Sequence, residues 1–205
     1  MTATTDFAKG LEGVVASETE MSFIDGTKGV LEYVGISIGE LAAHSTFEET
    51  VFLLWNKRLP TASELEHFSK ELRQRYELPA GMEQRLTSVP VTAEPMHVLR
   101  TMISALAMHD DEPNEIDLER ARRKALNILG HAPTIVAYFD RYRRGLPLIH
   151  PDRSLSFAEN FLYMLNGEKP TPTMARAFDI CMILHADHGL NNSPFAARVI
   201  ISTLS

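Results

Sequence analysis

An all-α protein carrying one short N-terminal β-hairpin is the fold class this sequence predicts, and three observations predict it. Apolar residues recur at steps of three and four along most of the chain, the period of an amphipathic helix. Hydroxyl and carboxylate residues three apart mark several helix starts, as capping boxes in which each side chain satisfies an orphan backbone donor. Only one stretch reads as strand, around a glycine-bearing turn.

That stretch is Met21-Ser-Phe-Ile24 and Val30-Leu-Glu-Tyr33 about Asp25-Gly-Thr-Lys-Gly29, whose glycines permit a hairpin's positive dihedrals. Ser45 with Glu48 and Thr61 with Glu64 then match capping boxes, and Leu65, Phe68, Leu72 and Tyr76 trace one apolar stripe. Further stripes run through Met96, Leu99, Ile103 and Leu106, and through Leu118, Ala121, Ala125 and Ile128, with Pro113, Gly130 and Pro133 read as breaks. Ser156 with Glu159 is a third capping box, and Gly167 a helix stop. Thr171-Pro172 starts a helix that delivers His185 and His188 at its C-terminal end, and Ser193-Pro194 starts another through Val199 and Ile200 toward Ser205. With no internal repeat or long linker, residues 1–205 read as one continuous helical layer system.

The chain has 205 residues and a formal net charge of -7, which disfavours a broad nucleic-acid-binding surface. Its densest basic stretches, Arg120 to Lys124 and Arg141 to Arg144, fall on helices flanked by acids and are expected to be solvated faces. No signal-like segment opens the chain, and no apolar run approaches the roughly 20 residues needed to span a bilayer, so a cytoplasmic protein without membrane contact is expected. The single cysteine, Cys181, excludes an intramolecular disulfide and sits in an apolar helical pattern, as an inert buried thiol would.

The chemistry concentrates in Leu184-His-Ala-Asp-His-Gly-Leu-Asn-Asn-Ser193, where two imidazoles, a carboxylate and two amides crowd one turn between apolar helices. His185 and His188 lie three apart and could converge on one ligand if the helix reaches them. Two histidines make half a metal site, and the His-Glu-x-x-His pattern is lacking, so no metal is expected. A bland reading, with Asp187 orienting a histidine and the asparagines satisfying loop backbone, competes with a substrate site. A nearby Arg198 and the positive end of the next helix favour a small dicarboxylate or keto acid. His97 with His109-Asp110-Asp111 superficially resembles the metal-dependent His-Asp phosphohydrolases, but reads better as a solvated loop.

Read with Pro194-Phe-Ala-Ala-Arg198, the histidine run resembles the His-Ala-Asp-His-x-x-Asn-x-Ser stretch of citrate synthases. Lys9 to Ala16 with Ser22 to Leu31, Phe47 to Leu54, Leu59-Pro60-Thr61, Pro95 to Arg100, and Ala132 to Ala137 resemble successive segments of that family, in order, over nearly the whole chain. Two departures stand out. Glu32-Tyr-Val-Gly-Ile36 replaces an Arg-Tyr-Arg-Gly-Tyr-like run, and Gly189 replaces the common glutamate after the second histidine.

The resemblance implies the N-terminal part of the large helical domain of a citrate synthase over residues 1–205, with the small domain and the C-terminal part absent. It implies an acyltransferase of the tricarboxylic acid cycle that condenses acetyl-CoA with oxaloacetate to citrate and CoA, needs no cofactor, and forms a homodimer or higher homo-oligomer. His188 is then the oxaloacetate-binding residue, supported by His185 and by Asn191 or Asn192. The family's general-base aspartate and enol-stabilising histidine fall beyond Ser205, which leaves no catalytic residue within the chain and an expectation that it is inactive alone. 2-Methylcitrate synthase, acting on propionyl-CoA, is the nearest alternative. A noncatalytic helical assembly unit is the alternative of another class.

Overall fold

A computed structural model describes residues 17–114, 117–190 and 192–203, so the Lys9 to Ala16 motif and Asn191 lie outside the described residues. The expected hairpin is there: β1 (Ser22–Asp25) pairs antiparallel with β2 (Val30–Tyr33), and Asp25 accepts the turn's Thr27 and Lys28 backbone N–H groups at 3.1 Å. A short third strand, β3 (Ile36–Ser37), extends it in the order β1-β2-β3. The sequence hid β3 because its two-residue turn is Val34-Gly35, both at positive φ (51° and 78°). Such turns usually carry asparagine or aspartate first, and a β-branched residue there is strained.

Helices α1 (Ile38–His44), α2 (Phe47–Asn56), α3 (Ala62–Arg73) and α4 (Met82–Thr87) follow. The capping boxes at Thr61–Glu64 and, later, Ser156–Glu159 form as read. At α2, however, the box is Thr46 with Glu49, one residue beyond the expected Ser45–Glu48 pair. Ser45 donates instead to the Glu49 carboxylate, and Glu48 turns inward to 5% exposure.

Next come α5 (Pro95–Leu106), which closes with a 3-10 turn over Ala107–His109, and α6 (Leu118–Arg143). α6 runs unbroken through Gly130 and Pro133, which are therefore not breaks. A Cβ on Gly130 would sit 2.7 Å from the Arg75 Cβ, so the glycine admits a close approach between segments. Pro133 removes a helical N–H, a local cost of about 3 kcal/mol, which burial of Thr134, Ile135, Ala137, Tyr138 and Phe139 around it offsets. The expected stripe Leu118, Ala121, Ala125, Ile128 faces solvent, because α6 packs through the side bearing Leu126 and Gly130.

α7 (Phe157–Asn166) ends at Gly167 in the left-handed conformation, as predicted, and α8 (Pro172–Leu184) starts from the Thr171 cap. α9 (Asn192–Ser202) begins at Asn192, ahead of Ser193-Pro194. The Arg120–Lys124 face is solvated and paired with Asp110, Glu112 and Asp117. Arg141 departs from expectation: it is buried and donates to the carbonyls of Pro147 (2.6 Å) and Leu165 (3.0 Å), locking the α6–α7 corner.

Two core clusters form among the described residues. One gathers Tyr33, Leu41, the α2 residues Phe47 to Leu54, Phe68, Leu72, Tyr76, Phe157 and Ile183; the other gathers Met82, Leu86, Val98, Met102, Ile135, Phe139 and Met164. The first is stitched by buried carboxylates that cap distant helices. Asp179 on α8 accepts the Phe47 N–H at the start of α2, and Glu48 on α2 accepts the Phe157 N–H at the start of α7, both at 2.9 Å. Burial pushes the Glu48 carboxyl up from its ordinary range, against the Phe157 hydrogen bond.

Candidate functional site

The histidine cluster forms where α8 ends. His185 caps the helix, and His188 follows in the loop, so the helix does not carry both rings as the spacing suggested. The two imidazoles converge nonetheless, edge to face with centroids 5.6 Å apart. The His185 Nδ1 lies 2.7 Å from the Cys181 carbonyl oxygen. A carbonyl only accepts, so that nitrogen carries a proton and turns it to the backbone.

His188 is exposed, and among the described residues its ring makes no hydrogen bond, so both ring nitrogens remain open to a ligand. Asp187 turns to its own loop, its Oδ2 accepting the Gly189 N–H at 3.0 Å in an Asx turn while Gly189 takes φ +71°. The glycine at this departure from the family pattern thus serves the loop's backbone. A Cβ there would come within 4.0 Å of Ile24 and Ser22, which places the hairpin directly under the loop.

The residue that sequence reasoning missed is Tyr33, at the end of β2 and fully buried. Its hydroxyl donates to the Asp187 carbonyl at 3.0 Å and accepts the Asp187 N–H at 3.2 Å, with the Leu184 carbonyl 3.4 Å away. Burial raises the phenol pKa above its ordinary value, so it stays protonated and able to donate. Its position in the hairpin's alternating pattern signalled a core aromatic and nothing about a loop over 150 residues on.

Of the expected supporting groups, Asn192 is exposed in the first turn of α9, and Asn191 lies outside the described residues. Arg198 is exposed on α9 without an ion pair to a described residue. Cys181 is exposed, not buried as expected, because the apolar pattern around it belongs to the helix face bearing Ala175, Asp179 and Ile183. Its Sγ lies 3.8 Å from the His185 Nδ1. Among the described residues no group of three or more His, Cys, Asp or Glu side chains is placed to hold a metal ion. Nor does any helix there have the length and apolarity to cross a membrane.

His185 also borders an apolar depression of about 260 Å³ with Val51, Leu54, Trp55, Leu129 and Met182. A larger concavity, about 690 Å³, lies between α2, α3 and α6, away from the cluster. Its guanidinium groups are already engaged, Arg122 with the Trp55 carbonyl, Arg75 with Asn127 and the Glu71 carbonyl, and Arg123 with Asp110 and Glu112. The cluster is the better candidate, since two imidazoles converge there and the His188 ring makes no hydrogen bond among the described residues.

The chain has clear relatives among known proteins. A family model described as "Citrate synthase, C-terminal domain" matches residues 10–205. The citrate synthase of Haloferax volcanii is 43% identical over 208 residues, covering 98% of this chain and 54% of that protein. A 2-methylcitrate synthase of Mycobacterium tuberculosis is 44% identical over 200 residues, covering 98% and 50%. The crystal structure of citrate synthase from Pyrobaculum aerophilum superposes with a TM-score of 0.88 at 38% identity, over 95% of this chain and 51% of that one. The chain spans about half the length of the curated relatives it matches.

Proposed function

We propose, from the premise that this chain belongs to the citrate synthase family, that its 205 residues are the N-terminal portion of an acyltransferase and supply its oxaloacetate-binding histidine. The observation that carries this reading is the His188 ring, exposed, set against His185 and without a hydrogen bond among the described residues. A neutral imidazole in that position donates through one nitrogen to the substrate's ketone oxygen and polarises it for attack. His185, its Nδ1 proton committed to the Cys181 carbonyl, is a support that fixes the edge against which His188 rests.

The reaction is a condensation: the enol of acetyl-CoA attacks the polarised ketone, and hydrolysis of the thioester releases CoA and citrate. Polarising the ketone is one part of that sequence. Removing the methyl proton needs a general base, and holding the enol needs a donor, neither of which we assign to residues 1–205. In this reading the 205 residues alone release no CoA, the enzyme needs no cofactor beyond its acyl-CoA substrate, and it works as a cytoplasmic homo-oligomer. Propionyl-CoA is the second acyl donor to consider, because a 2-methylcitrate synthase is as similar to this chain as the citrate synthases are.

The test is steady-state CoA release by the full-length native polypeptide that carries these residues, with oxaloacetate and either acyl-CoA. Replacing His188 with alanine removes a hydrogen bond to a polarised group, about 1.5–3 kcal/mol, so kcat/KM for oxaloacetate should fall roughly ten- to a hundredfold. His185→Ala should act mainly on stability. The reverse pattern would exchange the two roles, and the absence of oxaloacetate-dependent CoA release from the wild type would sink the reading.

A further inference from the structure

We infer that Tyr33 is a positioning residue for the oxaloacetate-binding histidine, a step that rests on the functional reading above: its buried hydroxyl holds both backbone polar groups of Asp187, the residue between His185 and His188. The donor–acceptor pair is closed on itself. The hydroxyl gives its proton to the Asp187 carbonyl at 3.0 Å and takes the Asp187 N–H at 3.2 Å. Few side chains can do both at once, and a hydroxyl is one of them.

Among the described residues, every other hydrogen bond on the loop is local. The Cys181 carbonyl orients His185 from the preceding turn, and the Asp187 carboxylate holds Gly189 from within the loop. Tyr33 arrives from the opposite end of the chain, at the last position of β2, and its ring has no exposed surface. Such a bond is strong because water does not compete for it, and it fixes the height of residues 185–188 above the hairpin. His188 projects from that segment into solvent, with the His185 ring beside it. The ring's direction therefore depends on where the Asp187 peptides are held, and misplacing a reacting or binding group by about 1 Å can cost up to a hundredfold in rate.

The Val34-Gly35 turn reinforces this placement. Val34 is held at φ 51°, an unfavourable conformation for a β-branched side chain, immediately after Tyr33. Its N–H donates to the Met21 carbonyl at 2.9 Å, so the strained residue closes the end of the hairpin under the loop.

The test uses the full-length native polypeptide. Tyr33→Phe keeps the ring that fills the core and removes only the hydroxyl. KM for oxaloacetate should rise about tenfold while KM for the acyl-CoA stays unchanged, and the NMR cross-peak between the His185 and His188 rings should be lost. Tyr138→Phe is the control: Tyr138 is also buried, and its hydroxyl lies 2.9 Å from the His150 Nδ1, away from the cluster. It should lower thermal stability as much as Tyr33→Phe without moving either KM. An unchanged oxaloacetate KM in Tyr33→Phe, or equal changes in both KM values, would overturn the inference. If the wild type does not use oxaloacetate, the functional reading fails, and the ring cross-peak alone then decides whether Tyr33 holds the loop.

Discussion

The two helices that meet at the histidine cluster are held by opposite means. α8 is pinned by polar bonds to elements far away in sequence: Asp179 accepts the Phe47 N–H, and Arg176 donates to Asp179 and to the carbonyls of Ala42 and Ser45. Its end is tied to the hairpin through Tyr33. α9 buries no side chain and exposes Val199, Ile200 and Ile201 at 50%, 61% and 67%. The difference teaches that His188 inherits its geometry from α8 and the sheet. It is fixed on one side and open on the other.

The most damaging way to break this contrast is Asp179→Ala. That change leaves a buried helix-start N–H without its acceptor and strips the Arg176 guanidinium of its counter-charge, although two carbonyls remain to it. Losing one partner of a buried hydrogen-bonded ion pair costs about 3–5 kcal/mol, and the partial exposure of Arg176 brings the expectation to about 2–3 kcal/mol. Urea unfolding should show the loss, and Asp179→Asn, which keeps an oxygen for Phe47, should recover part of it. A change below about 0.5 kcal/mol in Asp179→Ala would mean that α8 is not held by this bond.

A subtler probe is pH, acting on the neighbouring carboxylate. The Glu48 carboxyl is raised by burial, with Asp179 adding to the rise and the Phe157 N–H opposing it. A carboxyl raised on folding holds its proton more tightly in the folded chain than in the unfolded one. Its contribution to stability is complete below the ordinary carboxylate range and is lost as pH rises through the folded value. Glu48→Gln cannot ionise, yet it retains an oxygen for the Phe157 N–H. The variant should match the wild type in acid and be the more stable at neutral pH, as thermal unfolding between about pH 4 and pH 8 would show. A Glu48→Gln protein that is less stable at neutral pH would mean that the charge itself supports the α7 cap.

The sequence displayed what depends on near neighbours. Thr61–Glu64, Ser156–Glu159, Gly167 and Thr171-Pro172 signal their helix ends through backbone groups within a few residues, and the structure has each of them. The cluster at His185 to His188 was legible because two imidazoles and a carboxylate in one turn are poor core material. Long-range partnership was not legible. Glu48 reads as a capping residue because its partner, the Phe157 N–H, lies 109 residues on, and Gly130 and Pro133 read as breaks because nothing local shows Arg75 or the buried face that keeps α6 intact. The exposure of Cys181 is hidden for a related reason: the apolar pattern of its helix does not say which side is the outer one.

The smallest expected effect belongs to α9, where Ile200→Ser tests whether its open face is open in solution. Isoleucine and serine have similar intrinsic helix propensities, so the substitution changes the backbone preference little. A residue 61% exposed has little buried surface to lose, and its neighbours Val199 and Ile201 are as accessible. The change in unfolding free energy should therefore stay within about 0.5 kcal/mol, against the 2–3 kcal/mol expected from Asp179→Ala on the opposing helix. Measuring both in the same urea series makes the contrast internal. Fully burying an aliphatic side chain contributes about 1.5–3 kcal/mol, so a loss of 1 kcal/mol or more in Ile200→Ser would show that something covers this face in the working protein. α9 would then be held as α8 is, and His188 would be enclosed from both sides.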